Sequence, residues 1–475
     1  MMSGIISYGA YVPLRRLGPG TRGWNLPVEK AVANWDEDSL TMAVAAAEDC
    51  LKGIDRRKIN GLYFASTTPP YREKLAATTA AWAADLSPEI LTVDIGDSLR
   101  AGTIALRLAC DSVAAGSANQ ILVTASDVRL GQPRSGYDFG LGDGAAAFLI
   151  GNTDLIATLE GTYSLADELL DVWRAERARY VRTWEDRFVY EEGYLKILPE
   201  AVQKFLAGYN LSVKDIDKVV FSAPDARRHR EMVARLGLQP SQVQSPFFDK
   251  LGDTGCAFSL MLLVAALEES SPGQRILVAS YGDGADVLLF RVTDRIREIP
   301  GRRGVRQHLA SKMIMSSIDE YLAFREFAIS DPEGPFGASA SVIHRERDSI
   351  YRLYGVKCRT CGTVQYPPQR VCTRCQSKDN FESFRFADKK GRVFTYTLKY
   401  GADIPPFARP MVDTMVDFEG GGRAIFGMTD VDIRQIKIGM EVEMSFRTLG
   451  VGGGIHNYFW RCMPSRDSWL TGEVK

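Results

Sequence analysis

Two Cys-x2-Cys pairs, Cys358/Cys361 and Cys372/Cys375, stand ten residues apart and constrain the fold of this chain more than any other feature. Each Cys-x-x-Cys turn aims two thiolates at one point, and two such turns close a tetrahedral thiolate site for zinc. Four protein ligands leave no open position for water, so the zinc is expected to be structural. An iron–sulfur cluster and a redox dithiol are the other uses of such a set. Gly362 fits the tight knuckle after the first pair. The remaining cysteines, Cys50, Cys110, Cys256 and Cys462, are scattered through apolar or helical stretches. They form no disulfide framework, which points to a reducing, cytoplasmic compartment.

Short strands follow the cysteines: GRVFTYTLKY, MVDTMVDF, RAIFGMT, KIGMEVEMSFR and NYFWRCM, separated by Gly-rich turns. Five such strands suit a small closed OB-type barrel. In the first of them Phe394, Tyr396, Leu398 and Tyr400 alternate with polar residues, the pattern of a half-buried strand. Phe394, Tyr396 and Trp460 are therefore expected in the core. OB barrels often bind nucleic acid, but Lys+Arg (58) and Asp+Glu (59) cancel. Asp413, Asp417, Glu419, Glu441 and Glu443 interrupt the barrel's basic residues. Without a basic groove no nucleic-acid partner is expected. No stretch reaches the roughly 18 apolar residues that span a bilayer, so no membrane partner is expected either. The opening MMSGIISYGAYVPLRRLGPG reads as a first β-strand rather than a signal peptide.

The first three hundred residues carry a faint internal repeat. KINGLYFAST (58–67) pairs with DKVVFSAP (217–224), and ANQILVTAS (118–126) with GQRILVAS (273–280). Each half ends on a Gly-Asp-Gly-Ala turn and an apolar strand, GDGAAAFLI from Gly142 and GDGADVLLF from Gly282. Short β-branched runs alternating with helical periods predict βαβ units and a buried sheet. The fold class is thus α/β, a duplicated, layered α/β/α/β/α body with a C-terminal zinc ribbon and all-β barrel. Each half also predicts a buried helix: one over 99–115 capped by Ser98, and the apolar CAFSLMLLVAALEE opened by Gly252-Asp253-Thr254-Gly255. Their N-termini, with free N–H groups, suit a thioester oxygen or an anion.

SLRAGTIALRLACDSVAAG, GDGAAAFLIG, WEDRFVYEEGY, VVFSAP and KLGDTG resemble, in order and spacing, the thiolase superfamily, in its branch of hydroxymethylglutaryl-CoA synthases and ketoacyl synthase III. The likeness covers roughly residues 5–292. CRTCG, YPPQRVCTRC and GRVFTYT resemble the rubredoxin-like zinc-ribbon/OB-fold family that accompanies thiolase-type proteins. The resemblance implies an acyl-CoA-handling protein with a dimeric core and a coenzyme A thioester as substrate.

It also implies a thiolate at the tip of the first buried helix, where this chain has Leu99 in Ser98-Leu99-Arg100-Ala101-Gly102-Thr103. The family's histidine falls on Ser222, its asparagine on Asp253 and its glutamate on Thr67. All four positions have changed residue type. Cys110 lies about 16 Å down the same helix at roughly 1.5 Å per residue, out of reach of any base. Cys256 has an aspartate nearby that disfavours its thiolate.

The expectation is a synthase-like subunit that works with a cysteine-bearing thiolase-type partner. The rival readings are a retro-aldol lyase on a β-hydroxyacyl-CoA, with Asp253 as base and Ser222 as donor, and a non-catalytic scaffold. Asp253 could equally be a plain helix cap. Arg174 and Arg182, with Arg177 and Arg187, are candidates for the CoA phosphates, though such a run also suits a solvated face paired with Asp171, Glu176, Glu185 and Asp186. Five segments are expected: two body halves (1–152 and 153–295), a connector with a docking helix (296–347), the ribbon (348–384) and the barrel (385–475). Ile318, Tyr321, Leu322 and Phe324 mark the part of the connector that docks.

Overall fold

A computed structural model describes residues 2–175, 178–299, 301–330, 339–401 and 404–470. The body is built on nine strands: β1 (Gly4–Tyr11), β2 (Gly61–Ala65), β3 (Leu91–Ile95), β4 (Gln120–Asp127), β5 (Gly144–Gly151), β6 (Ala157–Ala166), β7 (Lys218–Phe221), β8 (Arg275–Tyr281) and β9 (Gly284–Val292). Their order across the sheet is β7-β8-β9-β6-β1-β5-β4-β2-β3.

The repeat read from the sequence is the repeat of the pairing. β2 runs parallel to β4, β4 antiparallel to β5, and β5 antiparallel to β1. In the second half β7 runs parallel to β8, β8 antiparallel to β9, and β9 antiparallel to β6. Within the nine-stranded sheet the halves join through the pairs Gly4↔Thr158 and Ile5↔Ala157. Helices Ala101–Ala114 and Phe258–Glu269 pack together in one core cluster, where Leu106, Ala109, Leu260 and Leu263 have no exposed surface. The second helix is buried on every side over its first ten residues, as its all-apolar sequence requires.

Both helices start later than expected. The first begins at Ala101, and the Ser98 hydroxyl donates to the Gly282 carbonyl (3.1 Å) instead of capping it. The second is preceded by a 3₁₀ turn, Gly255–Ala257.

The connector does dock. Helix Ile318–Ser330 buries Tyr321 and Phe324 against Leu17, Trp24, Val32 and Met315, with Ile318 and Leu322 packed alongside. Among the described residues no helix is long and apolar enough to cross a membrane.

The ribbon pairs strand Tyr354–Cys358 with Val364–Gln365 and Phe381–Arg385. The barrel closes from Gly391–Lys399, Met411–Phe418, Arg423–Met428, Ile455–Pro464 and Glu441–Gly452. Trp460 is buried as expected, but Phe394 and Tyr396 are not core: they are 45% and 36% exposed, and Tyr400 is 65% exposed. The register slips between Val393 and Thr395, a bulge that puts Val393 inside and turns Phe394 out.

The C-terminal module is seated tightly on the body. One apolar cluster runs from helix Ser39–Cys50 through Leu353 and Val364 of the ribbon to Phe386, Val442, Phe446 and Trp460 of the barrel segment. Arg447 of the barrel is buried against Asp36 (3.2 Å) and Glu37 (2.8 Å) of the body and Asp430 (2.7 Å) of the barrel.

Candidate functional site

Leu99, Ser222 and Asp253, distant in sequence, line one small cavity of about 60 Å³. That is the room of about two waters at roughly 30 Å³ each. Tyr137, Tyr190, Tyr194 and Tyr281 take up the surrounding space. Leu99 sits in the turn before the first buried helix and packs on Gly282, where an added Cβ would come within 3.1 Å of the Leu99 Cβ. Gly282 permits that contact because it has no side chain.

Ser222 follows strand β7. Its hydroxyl oxygen accepts the Tyr281 N–H (2.8 Å), and its carbonyl accepts the Tyr194 hydroxyl (3.0 Å). These bonds fix the serine and leave its hydroxyl proton to offer to a ligand oxygen. Asp253 accepts the Gly255 N–H (2.9 Å) with one oxygen and Arg129 (3.1 Å) with the other. It therefore braces the turn ahead of the helix rather than capping the helix itself. Burial pushes its carboxyl above the usual carboxylate range, against the pull of Arg129 and the Gly255 N–H.

Sequence reasoning missed Arg129 and Asp127. Asp127 is fully buried at the end of β4. It accepts the Thr67 N–H (2.6 Å), the Ser66 hydroxyl (3.1 Å) and the Thr68 hydroxyl (3.2 Å) with one oxygen, and the Cys256 N–H (2.8 Å) with the other. It thus ties the loop after β2 to the second buried helix. The only sequence signal is an acid ending the apolar run ILVTASD. Burial first, and Asp127 second, hold the Cys256 thiol well above its ordinary pKa. Burial likewise pushes Cys50 and Cys110 up to about 12. None of the three is an activated thiol.

An outer vestibule of about 310 Å³ shares Leu99, Arg129, Asp171 and Val172 with the cavity and adds Thr67, Trp173 and Arg174. Arg174 reaches across it to the Thr67 carbonyl (2.6 Å). Arg182 is not brought to the site: its neighbours Val181 and Thr183 line the vestibule and the cavity, and Arg182 between them is exposed. Arg187 is exposed and pairs with Glu191 (2.9 Å), while Glu176 and Arg177 lie outside the described residues.

The thiols of Cys358, Cys361, Cys372 and Cys375 lie within 4.8 Å of one another. Cys358 and Cys375 are separated by 3.6 Å, and Cys361 and Cys372 by 3.5 Å. A tetrahedron with 2.3 Å zinc–sulfur bonds has sulfurs about 3.8 Å apart, so the set fits a structural zinc ion.

Residues 345–382 match the ChsH2 rubredoxin-like zinc ribbon domain, residues 385–447 the ChsH2 C-terminal OB-fold domain, and residues 206–288 the C-terminal part of 3-oxoacyl-[acyl-carrier-protein (ACP)] synthase III. The chain is 33% identical over 340 residues to a hydroxymethylglutaryl-CoA synthase of Methanopyrus kandleri, covering 68% of this chain and 97% of that relative. A solved HMG-CoA synthase complexed with CoA has a TM-score of 0.62 at 18% identity, over 68% of this chain and 90% of its own. The 3-oxoacyl-[acyl-carrier-protein] synthase III of Aquifex aeolicus has a TM-score of 0.55 at 20% identity, over 61% of this chain and 99% of its own. Fold and ligand set together define a thiolase-type α/β body carrying a zinc ribbon and an OB barrel. The chain belongs to the hydroxymethylglutaryl-CoA synthase family.

Proposed function

We propose that this protein is an acyl-CoA-handling subunit that forms no acyl-cysteine itself. It would act with a cysteine-bearing thiolase-type partner in making or breaking a carbon–carbon bond on a CoA thioester. The observation that carries this reading is Leu99 facing Ser222 and Asp253 in a cavity that no cysteine lines. An aliphatic side chain cannot attack a thioester, and Ser222 cannot take a proton as an imidazole does. Arg174, in the vestibule outside Leu99, is the candidate for the CoA phosphates. A cytoplasmic, dimeric body accords with this role.

The test is incubation with acyl-CoA followed by intact mass. The isolated chain should stay unmodified, and a thiolase-type subunit should co-purify and carry the adduct. A covalent acyl group on this polypeptide alone would refute the reading.

The buried Asp253, with its raised pKa, favours a second reading, a self-sufficient lyase. Asp253 would take the β-hydroxyl proton of a β-hydroxyacyl-CoA, the Cα–Cβ bond would break to leave a carbonyl product, and the Ser222 hydroxyl would donate to the thioester enolate until it is protonated. Turnover by the isolated chain, lost in Asp253→Ala, would select it. Absence of any CoA thioester binding would leave a scaffold.

Nucleic acid remains disfavoured even though Phe394 and Tyr396 are exposed. Arg423 pairs with Asp417 (2.5 Å) and Lys399 with Asp413 (2.7 Å), so the cations beside the aromatics are already neutralised.

A further inference from the structure

Aromatic rings wall the cavity beyond Leu99. Tyr137, Tyr190, Tyr194 and Tyr281 line it but not the vestibule, so they stand on the side away from the vestibule. Tyr190 and Tyr194 belong to a π-helical turn, Val189–Tyr194, a geometry often met at functional sites. Tyr281 ends β8.

Three of these rings are fixed in place. Tyr194 is 2% exposed, and its hydroxyl donates to the Ser222 carbonyl (3.0 Å). Tyr281 stands edge-on to Tyr194 with ring centres 5.6 Å apart, and its hydroxyl is set against the Asp171 carboxyl. A Cβ added to Gly193 would collide with that hydroxyl, so glycine is required where Tyr281 reaches across. The Arg228 guanidinium lies over Tyr190, 4.2 Å from the ring centre. With the rings held in this way, turning one of the three aside does not enlarge the room of about 60 Å³.

A methyl or methylene group fills about as much space as a water, roughly 30 Å³. The cavity therefore takes about two such groups beyond a thioester carbonyl placed at Leu99. Charge selects in the same direction. Two carboxyls, Asp171 and Asp253, line the cavity against one guanidinium, Arg129, which already holds Asp253 at 3.1 Å. An acyl group ending in a carboxylate would meet two acids and a cation that is already paired, and burying it there is costly.

We propose that the site accepts uncharged acyl groups of up to about three carbons and excludes the larger, carboxylate-bearing hydroxymethylglutaryl group, with Tyr190, Tyr194 and Tyr281 setting the limit. This rests on the acyl-CoA-handling reading given above and narrows it.

Isothermal titration of the full chain tests the limit, with coenzyme A and its acetyl, propionyl, hexanoyl and hydroxymethylglutaryl thioesters as separate probes. Each methylene buried in an open apolar pocket strengthens binding about fourfold. Propionyl-CoA should bind more tightly than coenzyme A. Hexanoyl-CoA and hydroxymethylglutaryl-CoA should each bind at least about tenfold more weakly than propionyl-CoA, because neither fits without displacing a ring. In Tyr190→Ala or Tyr281→Ala the space of a ring is freed, and hexanoyl-CoA should gain at least about tenfold on propionyl-CoA.

Affinity that stays level or climbs from propionyl to hexanoyl in the unaltered chain would overturn the length limit and leave the acyl-CoA reading standing. So would tight binding of hydroxymethylglutaryl-CoA, or a preference that neither substitution moves. Failure of every thioester to bind would overturn both. If neither variant folds by circular dichroism, the series on the unaltered chain decides alone.

Discussion

Arg129 donates to the Asp253 carboxylate across 3.1 Å, joining the residues just after β4 to the turn that opens the second buried helix. The side chains are 4% and 14% exposed, so the pair is largely shielded from water and depends on both members. Arg129→Met should cost about 3 kcal/mol, because it strands a carboxylate that burial already disfavours. Urea unfolding would measure the loss, and adding Asp253→Asn should return part of it. Equal stability of Arg129→Met and wild type would show that the pair contributes nothing.

Leu99→Cys places a thiol at a helix N-terminus, where the free N–H groups lower its pKa. It should react with a disulfide reagent faster than the buried Cys110 and Cys256. Without a base at Ser222 it should still acylate poorly from acetyl-CoA, and Leu99→Cys with Ser222→His should accumulate an acetyl adduct visible by intact mass.

Metal removal should reach beyond the ribbon. Structural zinc supplies on the order of 10 kcal/mol of folding free energy in isolated zinc fingers. Here the ribbon's Leu353 and Val364 belong to the cluster that also holds helix Ser39–Cys50. Cys372→Ser should abolish a zinc content of one per chain, read by elemental analysis, and should lower the Tm of the body together with that of the ribbon. An unchanged Tm would show that the ribbon is energetically independent.

The docking of barrel on body rests in part on Arg447, which faces three carboxylates. Arg447→Met should cost about 3–5 kcal/mol by leaving those acids unpaired. Calorimetry should then show the barrel and body unfolding separately. Arg447→Lys should fall in between, since an ammonium cannot reproduce the fork of hydrogen bonds.

Burial raises the Glu268 carboxyl from 4.5 to about 7, so the folded chain holds a proton there that the unfolded chain has lost. Its contribution to stability is fully present below pH 4.5 and disappears as pH rises through about 7. Glu268→Gln should therefore gain up to about 2 kcal/mol over wild type at pH 8 and nothing at pH 4. Denaturant midpoints across that range would check it, and a difference independent of pH would contradict the assignment.

Much of this was legible in the chain. Cys358, Cys361, Cys372 and Cys375 could be read because ligand spacing is a local property, fixed by the two turns. The repeat could be read because each strand carries its burial pattern in its own residues. That Leu99, Ser222 and Asp253 lie near one another was expected from family motifs, and the three line one cavity. Phe394 was misjudged because it is itself the residue bulged out between Val393 and Thr395, which alternation alone does not foretell, while Tyr396 pairs with the buried Thr414 and still stays 36% exposed. Asp127 and Arg129 escaped notice because their partners lie between 59 and 129 residues away, and an isolated acid or arginine carries no mark of its partner.

By itself, then, the amino-acid order determined the elements, the duplication, the metal ligands and the lack of a thiol at the tip of the first buried helix. Only tertiary structure decided that ribbon, barrel and body share one apolar core, that Asp253 is held by Arg129, and that Arg447 of the barrel meets three carboxylates. Periodicity and motif spacing are set by neighbours along the chain. Charge pairing and shared packing are set by residues that folding alone brings together, so they could be read only once the chain had closed on itself.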